Sequence, residues 1–140
     1  MDNKECSTLE WEKFNDLILT YLGLNFNSID ELVNNIEINN SKINWLPLKE
    51  WESLDDVEIY RHLEELEKPE GEVYVISEIT YLKQDGPFKL NATYLKKFIT
   101  QYLDRFHECF FNGDALIFSI EHKQIWIFHH EGIYALVKLK

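Results

Sequence analysis

Three apolar runs fill the end of the chain, Ala115 to Ile120, Ile125 to His129 and Ile133 to Leu139, and the links between them are the turn Glu121 to Gln124 and the tripeptide His130-Glu131-Gly132. A parallel pair of strands needs a crossover of about a dozen residues or more, so connections this short force an antiparallel meander. His130, Glu131 and Gly132 also fit a three-residue hairpin loop, which ends on a glycine in the left-handed region. A further β-rich run, Val73 to Leu82, lies between Glu70-Gly71 and Asp85-Gly86-Pro87 and predicts a fourth strand. Trp126 and Phe128 point to one side of the middle strand and Ile125 and Ile127 to the other, so both of its faces are expected to be covered.

The chain ahead of these strands reads as helices. Ser7 with Glu10 has the spacing of a capping box, and Trp11, Phe14, Ile18, Tyr21 and Leu22 follow at helical spacing up to Gly23. Ser28 with Glu31 repeats the pattern before Ile29, Leu32, Val33 and Ile36, and an Asn-rich stretch from Asn34 to Asn44 then weakens the helix. Ile43 to Leu48, which contains Pro47, suits a short edge strand or an irregular plug. From Ser53 a third helix is expected, with Asp55 and Asp56 in its first turn, Ile59, Leu63 and Leu66 along its apolar side, and Pro69 and Gly71 beyond its end. Asn91 is a plausible cap for the longest helix, in which Leu95, Phe98, Ile99, Tyr102, Leu103, Phe106 and Phe110 keep a 3.6-residue period as far as Gly113. With 140 residues, the prediction is one α+β domain. It has about four antiparallel strands packed against three to four helices on one face, with a helical acidic part over 7–68 and the sheet and long helix over 73–140.

Charge is distributed unevenly along this order. Residues 1–72 carry 18 acids and 6 bases, residues 73–140 carry 7 and 8, and Lys49 to Glu72 alone holds ten acids and three bases. A net charge of -11 disfavours nucleic acid and anionic membranes, because phosphates are repelled where no basic patch intervenes. The polar start, Met1 through Cys6, and the absence of a long apolar run predict a soluble, cytoplasmic protein. Cys6 and Cys109 are expected to be free thiols, the second buried.

The residues that invite a chemical reading have structural explanations. His129, His130 and Glu131 are of metal-ligand or acid-base type, but neighbours on a regular strand face opposite ways, which favours a turn over a ligand site. His107, Glu108 and Cys109 suggest an activated thiol, yet consecutive helical residues do not face each other. No phosphate loop and no calcium loop is present. The expectation is therefore a non-enzyme with no catalytic residue, cofactor or metal. Its partner is expected to be a basic protein, met by Glu52, Asp55, Asp56, Glu58, Glu64 and Glu65 as a steering field and by Trp51 and Tyr60 as anchors. Trp51 is equally open to packing as a staple at the start of the third helix, and Trp45 to being core.

A single small domain of this kind, strongly acidic on one side, aromatic-rich and without a catalytic motif, resembles in type the immunity proteins of bacterial contact-dependent inhibition and other polymorphic toxin systems. The resemblance implies neutralisation of a cognate toxin, often a basic nuclease that forms the C-terminal domain of a secreted protein, by covering its active site or substrate groove. An adaptor module unrelated to toxins and a small enzyme using His129, His130 and Glu131 remain the alternatives.

Overall fold

Consecutive apolar residues, rather than alternating ones, mark strands that are buried on both sides. Ala-Leu-Ile-Phe-Ser of β5 (Ala115–Ser119) is buried at every position, and β6 (Gln124–His129) at every position but the last. The computed structural model describes residues 6–39, 42–83 and 86–139. Among these residues, β5 and β6 stand near the middle of a seven-stranded, wholly antiparallel sheet. Its other strands are β1 (Cys6–Thr8), β2 (Leu46–Pro47), β3 (Glu72–Ser77), β4 (Phe88–Asn91) and β7 (Ile133–Lys138), in the order β1-β4-β3-β5-β6-β7-β2.

The meander is as expected, with Ala115 opposite Phe128 and His129 opposite Ile133 across a three-residue loop. The fourth expected strand is β3, but it is shorter. Thr80 Oγ1 accepts from the Ser77 amide at 3.0 Å and donates to the Ser77 carbonyl at 2.8 Å, which turns the chain into a short helix, α4 (Glu78–Lys83). The three additional strands are short. β2 and β1 form the two edges, and Ser7, read in the sequence as a helix cap, pairs with Lys89 in β1. Of the turn Asp85-Gly86-Pro87, residue 85 lies outside the described residues, as do 1–5 of the polar start and 40–41 of the Asn-rich stretch.

Helices cover both faces of the sheet, not one. On the first face, Val75, Ile117, Trp126 and Phe128 pack with Ile59, Tyr60 and Leu63 of α3 (Asp56–Leu66) and Phe98, Ile99 and Tyr102 of α5 (Leu95–Phe106). On the second, Ile76, Phe118, Ile125 and Ile127 meet Phe14 and Ile18 of α1 (Trp11–Leu22) and Leu32 and Ile36 of α2 (Ile29–Asn39). The opposed pairs of β6 require this arrangement, because a helix layer on one face alone would leave two isoleucines in water. Gly23 ends α1 at φ 68, and Ser28 Oγ caps α2 through the Glu31 amide. No helix among the described residues is long and apolar enough to cross a membrane.

The helix expected to run from Asn91 to Gly113 is shorter at both ends. Asn91 caps a single 3-10 turn, Ala92–Tyr94, and the α-helix closes at His107, a non-glycine residue in the left-handed region at φ 62. Phe110 and Phe111 therefore enter the core from a loop, and Cys109, expected to be buried, is exposed.

Candidate functional site

The residues expected to meet a partner fall around the start and outer side of α3, which begins two residues later than Ser53 implies. Asp55 is its N-cap: the Glu58 amide donates to Asp55 Oδ1 at 2.8 Å and the Asp55 amide donates to Glu58 Oε1 at 3.2 Å, a complete capping box. Ser53 belongs to a preceding 3-10 turn, Trp51–Ser53, and its hydroxyl donates to the Glu50 carbonyl at 2.7 Å.

Glu52, Asp55, Glu58 and Glu65 are exposed and Glu64 is half-buried. Among the described residues no lysine, arginine or histidine lies within ion-pairing distance of these five; the ion pairs join Glu72 to Lys89, Glu67 to Lys138 and Asp114 to His130. Their charge is therefore unmatched by a neighbouring cation, although Asp55 and Glu58 also accept backbone amides at the helix start.

Asp56 and Tyr60 are a correction, because both are buried. Asp56 Oδ2 accepts from the Phe110 amide at 2.7 Å and Oδ1 from the Phe111 amide at 3.1 Å, so this carboxylate ties the loop after α5 to the first turn of α3. Burial raises the Asp56 carboxyl above its ordinary pKa, against the opposing pull of the two amides. Burial, together with the neighbouring Glu64 charge, raises the Tyr60 phenol well above its ordinary value.

Trp51 is half-buried. Its indole meets Phe128 edge-on at 5.2 Å and covers Gly132, where an added Cβ would lie 2.4 Å from the ring. It also packs on the core cluster that contains Ile59 of α3. Between Trp51 and the loop after α5 a cleft of about 230 Å³ opens, lined by Trp51, Glu52, Leu54, Asp56, Ile59, Cys109, Phe111 and Asn112. Leu54, Cys109 and Asn112 were not foreseen in this place, because the sequence pattern carried the long helix through Cys109.

The other chemistry-bearing group is Asp114, His129 and His130, which offer one ligand atom each within 4.8 Å of one another. The alternation argument fails here because His129 is the last residue of β6 and His130 is already in the turn. The two rings stack at 4.2 Å instead of facing apart. Asp114 Oδ1 accepts from both the amide and the ring Nδ1 of His130, at 2.8 and 2.9 Å. The Glu131 amide donates to His129 Nδ1 at 3.2 Å, and Glu131 itself is exposed. Trp45 stands edge-on to His129 at 6.1 Å, half-buried beside it. Asp114 was legible only as part of a helix end, although its position one residue before a strand places it opposite His129.

His107 is also exposed, at the end of α5, and Cys109 lies outside that helix, so the two do not form a paired thiol on one helical turn. Burial and the Asp56 charge raise the Cys109 thiol above its ordinary pKa, the reverse of what an activated nucleophile requires.

Fold and surface together define an α+β protein built on an antiparallel sheet, with one helix and its lead-in carrying acids that pair with no cation among the described residues, beside a shallow cleft. Comparison with protein-family models, with curated proteins and with solved structures finds no match for the chain.

Proposed function

We propose that this chain is a binding protein of the immunity type, which docks a basic partner, the toxin domain of a secreted protein, against the outer side of α3 and neutralises it by occupying its substrate groove. The observation that carries the reading is the set Glu52, Asp55, Glu58, Glu64 and Glu65, which project from one helix and its lead-in with no cation within ion-pairing distance among the described residues. A field of one sign on a rigid element speeds encounter with a surface of the opposite sign. The adjoining cleft suits a lysine or arginine side chain: Trp51, Leu54, Ile59 and Phe111 supply apolar lining for the stem, and the exposed Glu52, which also lines it, supplies a carboxylate for the charged head.

Tyr60 has no part in this docking surface, and Asp56, which lines the cleft, has both oxygens committed to the Phe110 and Phe111 amides. Both residues hold the helix that bears it. Trp51 contributes the part of its indole that is not packed on Gly132, as a wall of the cleft and not as a free anchor.

The test uses the protein encoded directly upstream of this chain's gene. Its C-terminal domain, expressed alone, should arrest bacterial growth, and co-expression of this chain should restore it. Reversing Glu52 and Glu65 to Lys, both outside the Asp55–Glu58 capping box, should lower the association rate constant of the purified pair several-fold at low salt, with the unfolding midpoint little changed. Absence of protection refutes neutralisation. Protection with an unchanged association rate moves the interface off α3.

A further inference from the structure

The geometry points to a second site, independent of the docking surface: a mononuclear centre for a borderline divalent metal of the zinc class, held by Asp114, His129 and His130 at the end of the sheet where β5 begins and β6 ends.

The three residues come from positions that the fold fixes relative to one another. Ala115 pairs with Phe128, so Asp114 lies across from His129 one step further along the ladder. The three-residue loop to β7 then brings His130 back over the same end, its amide held by Asp114 Oδ1 at 2.8 Å. Hairpin closure therefore restrains the ligands before any ion arrives, which lowers the ordering cost of binding.

The spacing suits a small ion. In a tetrahedral zinc site with bonds of about 2.0–2.1 Å, neighbouring ligand atoms lie about 3.3 Å apart. His130 Nδ1 and Asp114 Oδ1 are already 2.9 Å apart, and all three ligand atoms fall within 4.8 Å of one another. No gap has to close by more than about 1.5 Å, within reach of a torsional adjustment in one side chain. On binding, the ion takes the place of the proton shared by His130 Nδ1 and Asp114, which moves to Nε2 so that the imidazole stays neutral. The Glu131 amide gives up its hydrogen bond to His129 when that ring turns to the ion.

Two imidazoles and one carboxylate select zinc, cobalt, nickel or copper over magnesium and calcium, which favour all-oxygen ligand sets. Trp45 walls the His129 side, whereas the His130 side chain is 57% exposed and gives the ion access from water. Three protein ligands leave one position open to water or to a donor from another molecule.

The test is titration of the full chain with zinc chloride, followed by calorimetry and by the thermal midpoint, together with the visible spectrum of the cobalt form. One equivalent should bind with a rise in the midpoint, and a chelator should reverse it. His129→Ala, His130→Ala and Asp114→Asn should each weaken binding by about 10-fold or more, and the cobalt bands should fade with them. Asp114→Asn keeps an oxygen for the His130 amide, so the hairpin survives that change. A triple variant of the remaining histidines, His62→Ala, His107→Ala and His122→Ala, should bind as the wild type does. Absence of stoichiometric binding by the wild type overturns the site, as does undiminished binding in the His129→Ala, His130→Ala double variant. Should Asp114→Asn fail to fold, His130→Ala, in an exposed turn, decides the question alone.

Discussion

Replacing Asp56 by Ala should cost this protein about 3 kcal/mol, well above the loss from any of the exposed acids around it. Its two oxygens accept from the buried Phe110 and Phe111 amides at 2.7 and 3.1 Å. Hydrogen bonds to a charged group contribute about 1.5–3 kcal/mol each, so the pair sets a ceiling of about 6 kcal/mol. The burial that raises the Asp56 carboxyl shows that desolvation consumes part of this, which places the net effect in the lower half of that range. Over 140 residues, an unfolding entropy of about 2.1 cal/mol/K per residue converts 3 kcal/mol into a fall in Tm of about 10 °C. The assay is urea unfolding followed by tryptophan fluorescence, with Asp55→Ala as the comparison. That variant removes a cap and should cost about 1 kcal/mol. In hydrogen exchange, the Phe110 and Phe111 amides should lose protection in Asp56→Ala and keep it in Asp55→Ala. Equal losses from the two variants, or a loss below about 1 kcal/mol from Asp56→Ala, would refute the anchoring role and return Asp56 to the surface set.

Gly132→Ala should destabilise by about 1–3 kcal/mol, because the residue sits at φ 81 and the new methyl would meet the Trp51 indole; a red-shifted fluorescence maximum should report the displaced ring. Gly86→Ala should be at least as costly, since at φ 86 its Cβ would lie 2.2 Å from the Leu9 carbonyl oxygen, a backbone atom that cannot rotate away; the urea midpoint measures it. Glu67 accepts from the Gln124 side chain and pairs with Lys138 at 3.0 Å, and these contacts hold its carboxyl below the ordinary 4.5. Its contribution to stability is therefore complete above that value and is lost as pH falls through the folded pKa. The urea midpoints of wild type and Glu67→Gln should differ near neutral pH and converge in acid.

How much of this was legible depended on the range of the interactions involved. The meander could be read because each of its links is a few residues long, and the covering of both faces was implicit in Ile125, Trp126, Ile127 and Phe128. The expectation of helices on one side alone came from the order of elements along the chain, and the covering of both faces read from that run is what the structure shows. Glu78 to Lys83 was missed because Ile79, Thr80 and Tyr81 have high β-propensity, and the helix starts from a contact between Ser77 and Thr80 that propensity does not register. The burial of Asp56 was beyond reach in principle, since its partners lie 54 and 55 residues away. An acid in the first turn of a helix looks the same whether it faces water or a distant loop. The cluster of Asp114, His129 and His130 was hidden by a sound rule applied one residue past the end of a strand.

The sheet ends on strands of three and two residues, and the shorter of them includes Pro47. A proline has no amide hydrogen to offer, and three residues give an incoming strand little ladder to extend. Without these two strands the outward edges of β4 and β7 would be the templates open to a neighbouring chain. The docking surface proposed on α3 is accordingly one read through side chains, and substitutions that alter side chains while leaving the backbone intact are the right instrument for mapping its contacts.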